Sequence, residues 1–81
     1  MTNKKGSIPT TELHLGRLIK AELARQGRTA VWLAKQVNCT PENLYKAFRA
    51  QWLTVPLLVK ISRALGHDFF RDISQLLDVN D

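Results

Sequence analysis

The sequence predicts a single all-α domain of five short helices, and three observations support this prediction. Apolar residues recur every three or four positions along most of the 81-residue chain, which is the spacing of a helix with one buried face. Residues that favour helix ends separate these apolar stretches. No stretch alternates apolar and polar residues in the manner of a half-buried strand. A chain of this length forms one domain with a modest core.

The chain divides into three parts by composition. Residues 1–10 are polar and contain Gly6 and Pro9, so we interpret them as a flexible N-terminal arm. Residues 11–77 carry the helical pattern, and residues 78–81 form a short C-terminal tail. The lysines near the N-terminus are not followed by an apolar stretch, so the segment does not resemble a signal peptide. No run approaches the ~20 apolar residues of a membrane helix, and we expect a cytoplasmic protein.

The first predicted helix extends from about Thr11 to Gln26. Thr10 or Thr11 is suited to the N-cap, Glu12 to the first turn, and Gly27 to the position just after the helix. The predicted inward face consists of Leu15, Leu18, Ile19 and Leu23.

The second predicted helix extends from Ala30 to Val37, with Thr29 as its N-cap. Asn38 follows, and asparagine tolerates the left-handed backbone conformation that often ends a helix. The predicted inward face consists of Ala30, Leu33, Ala34 and Val37.

The third predicted helix starts almost at once and ends near Ala50. Thr40 is a suitable N-cap, and Pro41 suits the first helical position. Leu44, Ala47 and Phe48 share one face, and Cys39 serves as a small apolar plug between the two helices. Two short helices joined by such a tight turn have the geometry of a helix-turn-helix, in which the second helix enters the DNA major groove.

Two further helices complete the prediction. The fourth covers residues 56–65, with its cap near Thr54 and its end at Gly66. The fifth covers residues 69–77, with Asp68 as its cap. The apolar residues assigned to the core are Leu57, Leu58, Ile61, Leu65, Phe69, Ile73 and Leu76 or Leu77, with Ser62 on the same stripe.

Charge is unevenly distributed along the chain. The net charge is +5, yet residues 1–63 hold eleven basic residues against three glutamates. Residues 64–81 hold Arg71 against four aspartates. A basic body with an acidic C-terminal part indicates a polyanionic partner that binds on one side.

Two stretches resemble a known family. They are TAVWLAKQVNCTPENLYKAFRA at residues 29–50 and LLVKISRALGHDFF at residues 57–70. Together they resemble the Cro/C1-type (XRE-like) helix-turn-helix regulators of bacteria and phages, and the resemblance covers residues 13 to about 77. It implies a compact five-helix lambda-repressor-like domain that binds double-stranded DNA in a sequence-specific manner and regulates transcription.

The resemblance also implies roles for individual residues on the outer face of the third helix. Glu42, Asn43 and Lys46 are expected to contact base edges, since glutamate accepts from cytosine, asparagine pairs with adenine and lysine donates to guanine. The residues expected to contact phosphates are Arg28, Thr29, Thr40, Tyr45 and Arg49.

Other functions have weaker support in the sequence. His14 and His67 lie far apart in the sequence with no third ligand beside either, so we expect no metal site. The sequence contains no nucleophile with an evident base and no glycine-rich phosphate-binding loop. We therefore expect neither an enzyme nor a cofactor. The single cysteine, Cys39, forms no disulfide within the chain.

A protein partner is the alternative to DNA. Trp52 and Phe70 are candidates for an exposed apolar partner interface, although packing against the core is an equal alternative for both. We expect a monomer–homodimer equilibrium in which dimerisation is weak or assisted by DNA. Pro41, Glu42 and the acidic C-terminal part favour a second function, that of a protein-interaction module or antitoxin-like adaptor on the same scaffold.

Overall fold

The structure, a computed structural model, describes residues 13–75. These residues form five helices and no strand, so the all-α prediction is confirmed for them. The helices are α1 (Leu15–Arg25), α2 (Ala30–Gln36), α3 (Pro41–Arg49), α4 (Val55–Leu65) and α5 (Phe69–Ser74). The predicted N-terminal arm and C-terminal tail, and the predictions for Glu12, Leu76 and Leu77, lie outside the described residues.

The predicted start of the first helix is wrong. Helix α1 begins at Leu15 rather than at Thr11, because His14 is its N-cap and has an extended backbone. The His14 Nδ1 atom accepts a hydrogen bond from the backbone N–H of Arg17 at 3.1 Å.

A tertiary contact explains why α1 starts there. The backbone N–H groups of Leu15 and Gly16 donate to the carbonyls of Gln51 and Ala50 at 2.9 and 3.0 Å. The Gln51 side chain in turn donates to the Leu13 carbonyl at 2.8 Å. The first donors of a helix have no partner inside the helix, and here the segment that follows α3 supplies one for each of these two.

The predicted caps of the later helices are confirmed. The side chains of four residues accept backbone hydrogen bonds at the helix N-termini: Thr29, Thr40, Thr54 and Asp68. Helix α2 ends one residue earlier than predicted and α4 begins one residue earlier, at Val55.

Three of the helices end in the same way. Gly27, Asn38 and Gly66 follow α1, α2 and α4 with φ values of 69°, 58° and 63°. After α2, the Cys39 N–H donates to the Ala34 carbonyl at 2.9 Å, which is the long bond of a Schellman motif. The predicted helix stops are therefore confirmed, and Asn38 adopts the left-handed conformation expected of it.

A single core joins the helices. It contains buried residues from every helix: Leu15, Ile19, Leu23, Leu33, Ala34, Val37, Leu44, Phe48, Leu58, Ile61, Leu65 and Phe69. Helices α1 and α3 approach each other closely at Gly16, where a Cβ atom would lie 2.2 Å from the Phe48 carbonyl oxygen. Only glycine fits there, and the sequence analysis did not identify this requirement.

Candidate nucleic-acid interface

Helices α2 and α3 form a pair held by buried side chains and a short turn. Leu33, Ala34 and Val37 are buried on α2 or at its end. The turn places Thr40 directly before α3, where its Oγ1 accepts the Asn43 N–H at 3.2 Å. Cys39 is half-buried and packs against the core, as predicted for an apolar plug. The turn and these buried side chains thus hold α3 in one orientation relative to α2.

Helix α3 has one buried and one exposed face. Leu44, Ala47 and Phe48 are buried and anchor it against α1 and α2. The predicted contact residues on and beside this helix are all exposed: Thr40, Glu42, Asn43, Tyr45, Lys46 and Arg49. The structure therefore brings the three predicted base-contacting residues to the exposed surface of one helix.

The side chains at this surface keep free hydrogen-bonding groups. Within residues 13–75, neither Lys46 nor Arg49 forms an ion pair. The Thr29 and Thr40 hydroxyls each accept a capping bond, from Trp32 and Asn43. A hydroxyl that accepts through a lone pair still has its O–H to donate, so capping is compatible with the predicted phosphate contacts.

Arg28 precedes α2 and makes a contact that the sequence analysis missed. Its guanidinium carbon lies 4.1 Å from the centre of the Trp32 ring, over the ring face. Arg28 is exposed, and Trp32 is half-buried and packs against the core. Arg28 and Trp32 are four residues apart, and this spacing is too common in helical proteins for the sequence to indicate the contact.

A largely apolar cleft of about 430 Å³ lies beside this surface, between α3 and the start of α4. It is lined by residues that include Cys39, Asn43, Lys46, Ala47, Trp52 and Leu57. Trp52 is 46% exposed, so the structure favours the exposed alternative for this residue. The cleft gives the exposed surface of α3 an apolar border.

For Phe70, the structure favours the other alternative, which is packing against the core. Phe70 is half-buried and packs against the core rather than presenting an exposed apolar surface. Asp68 caps α5 directly before it, and the buried neighbour Phe69 holds this short helix against the core. The exposed apolar side chains that the sequence analysis did not identify are Val31, Val55 and Val59.

A polar network lies at the C-terminal end of α1. The Glu22 carboxylate pairs with Arg25 and accepts a hydrogen bond from the Gln26 side chain at 2.7 Å. Both hydrogen bonds lower the pKa of Glu22, which is about 2, and the bond from Arg25 has the larger effect. Gln26 also donates to the Leu65 carbonyl at 2.7 Å, which ties α1 to the end of α4.

The two histidines have structural partners. His14 caps α1, and the Nε2 atom of His67 lies 2.9 Å from a carboxylate oxygen of Asp72. Within the described part of the chain, no group of three His, Cys, Asp or Glu side chains is arranged to hold a metal ion. None of the helices in residues 13–75 has the length and apolar character needed to cross a membrane.

Comparisons of the chain with models of known protein families, with curated proteins and with solved structures found no match.

Proposed function

We propose that the protein is a transcriptional regulator that binds double-stranded DNA in a sequence-specific manner. In this proposal α2 and α3 form a helix-turn-helix within a lambda-repressor-like domain. Helix α3 enters the major groove, and the N-terminus of α2 faces the phosphate backbone.

One observation carries the proposal: α3 is anchored on one face and polar on the other. Its buried side packs on two helices, while Glu42, Asn43 and Lys46 remain exposed. An α-helix with its side chains is about 10–12 Å in diameter. This diameter matches the width of the major groove, which is about 12 Å.

Charge supports the same partner. Lys46 and Arg49 lie on α3, and Arg28 lies just before α2. Within residues 13–75 none of these three side chains is neutralised by a carboxylate. Basic side chains without ion pairs release counterions from DNA when they bind its phosphates, and this release supplies most of the non-specific affinity.

A single domain of this size makes few contacts with DNA. A second copy on an adjacent half-site, about one helical turn away, would double them. We propose a weak homodimer that forms on DNA, with Trp52 as part of the contact.

The exposed Trp52 favours a second candidate function. Its ring lines the cleft between α3 and α4 and is 46% exposed. Aromatic side chains are enriched in protein interfaces relative to the rest of the protein surface. A protein-interaction module, such as an antitoxin-like adaptor, would use this cleft rather than the polar face of α3.

Selection of bound sequences from a random duplex pool tests the proposal. We expect enrichment of a short motif and tighter binding to it than to a scrambled duplex of the same composition. Binding should weaken steeply with salt, because phosphate contacts carry much of the affinity.

A matched pair of charge reversals locates the binding surface. Lys46→Glu on α3 should abolish binding to the selected duplex, because it places a negative charge at the groove. Arg71→Glu on α5 changes the net charge equally at another exposed position and should have a much smaller effect. Equal losses for the two variants, or no salt-dependent binding by the wild type, would contradict the proposal and favour the protein-interaction alternative.

A further inference from the structure

We infer that Trp32 is a positioning residue that holds the Arg28 guanidinium in place for a phosphate of the DNA backbone. The inference rests on the proposed DNA binding and adds a residue that contacts no DNA itself. The guanidinium lies over the Trp32 ring at 4.1 Å from its centre. A cation in this position is attracted by the negative face of the ring.

The contact with the ring leaves the guanidinium able to bind a ligand. Its five N–H donors point in different directions within a planar fork, so contact with one ring cannot occupy them all. Arg28 is exposed and forms no ion pair within residues 13–75. The outward edge therefore retains donors for a phosphate, which arginine binds through two parallel hydrogen bonds.

The Trp32 ring is itself fixed by the fold. It is half-buried and packs against the core. Its backbone N–H donates to the Thr29 Oγ1 atom at 3.0 Å, so it belongs to the capped first turn of α2. A long side chain that is already held in place loses less rotamer freedom on binding. Trp32 thus strengthens the phosphate contact of Arg28 without adding a charge.

A double-mutant cycle separates two contributions to DNA affinity: the charge of Arg28 and the positioning of Arg28 by Trp32. Wild type, Arg28→Ala, Trp32→Leu and the double variant are titrated with a selected and a scrambled duplex over a salt series. Arg28→Ala removes a phosphate contact, so the salt slope should fall by about 0.9. Trp32→Leu retains the charge, so the slope should stay unchanged while both duplexes bind about two- to fivefold more weakly.

The double variant gives the decisive comparison. If Trp32 acts through Arg28, Trp32→Leu should have no further effect once Arg28 is alanine. Additive losses would overturn the inference, since they would show that Trp32 supports binding by another route. A change of salt slope in Trp32→Leu would overturn it as well.

Conservative variants separate positioning from folding. Trp32→Phe keeps an aromatic face and should bind almost as tightly as wild type. Arg28→Lys keeps the charge but loses the planar guanidinium, so it should bind about two- to fivefold more weakly. Wild-type affinity in Arg28→Lys, or a loss in Trp32→Phe as large as in Trp32→Leu, would overturn the inference. A wild type that binds no duplex would refute the proposed function, and this inference with it.

Discussion

At the scale of single residues, Asn43 carries the sharpest prediction about specificity. It is exposed on α3, and an asparagine can pair with both the N6 and N7 positions of adenine. Asn43→Ala should weaken binding to the selected duplex by about 1–3 kcal/mol and relax the preference at one base pair. The measurement is a comparison of the motifs selected by wild type and variant.

Arg28→Ala is the control for this change. It should weaken binding to all sequences alike and leave the selected motif intact, because a phosphate contact carries no sequence information. An unchanged motif in Asn43→Ala would show that Asn43 does not contact a base, even if the protein binds DNA.

Asn38 is the residue whose backbone conformation shapes the α2–α3 turn. Its φ of 58° lies in the left-handed region, and its side chain is exposed. Asn38→Ala should lower the free energy of unfolding by about 1–2 kcal/mol, because a Cβ without a polar partner is unfavourable there. Asn38→Gly should be neutral or slightly stabilising. Urea unfolding measures both, and equal stability of the alanine and glycine variants would contradict the assignment.

At the scale of elements, the crossing of α1 and α3 depends on Gly16. A Cβ at this position would lie 2.2 and 2.4 Å from the carbonyl oxygens of Phe48 and Ala47, which belong to backbone and cannot move aside. Helix propensity alone predicts that alanine stabilises a helix by ~1 kcal/mol over glycine. We expect the opposite for Gly16→Ala, a loss of more than about 2 kcal/mol in unfolding free energy.

The matched control for this change is Ala21→Gly, at an exposed position of the same helix. It should cost only the propensity difference of ~1 kcal/mol. Thermal or urea unfolding of both variants checks the prediction. A Gly16→Ala protein that is more stable than wild type would show that the two helices are further apart than described.

The link between α1 and α4 predicts a pH dependence. Hydrogen bonds from Arg25 and Gln26 lower the pKa of Glu22 from 4.5 to about 2. A carboxyl group whose pKa is lower in the folded state stabilises the fold above pH 4.5, and this stabilisation is lost between pH 4.5 and pH 2. Glu22→Gln should therefore be less stable than wild type at pH 7, and the difference should shrink toward pH 2. Urea unfolding over this range measures it, and parallel pH curves would contradict the role of Glu22.

At the scale of the whole molecule, the small size of the domain and its exposed tryptophan lead to a prediction about self-association. We expect a monomer–homodimer equilibrium, because a single domain makes few DNA contacts and Trp52 is 46% exposed at the cleft. Sedimentation at high concentration, with and without the selected duplex, should show dimers that Trp52→Ser weakens. Monomers only, under both conditions, would exclude a role for Trp52 in self-association.

The positions of most helix ends follow from the sequence by itself. Thr29, Thr40, Thr54 and Asp68 cap the helices as predicted, and Gly27, Asn38 and Gly66 end them. These signals are local, since a cap bonds to a backbone group two or three residues away and a left-handed residue ends a helix wherever it stands. The exposed face of α3 was predictable for the same reason, because helical spacing determines which residues share a face.

The remaining features depend on contacts between parts of the chain that are far apart in sequence. Helix α1 starts at Leu15 because its first N–H groups bond to carbonyls at Ala50 and Gln51, more than thirty residues along the chain. Gly16 is required by the backbone of α3, and Phe70 is half-buried because α5 packs on the core. Each depends on groups distant in sequence, and local propensity contains no information about which distant groups meet. The sequence therefore determined the helices and their faces, whereas long-range packing decided where α1 begins and which side chains remain at the surface.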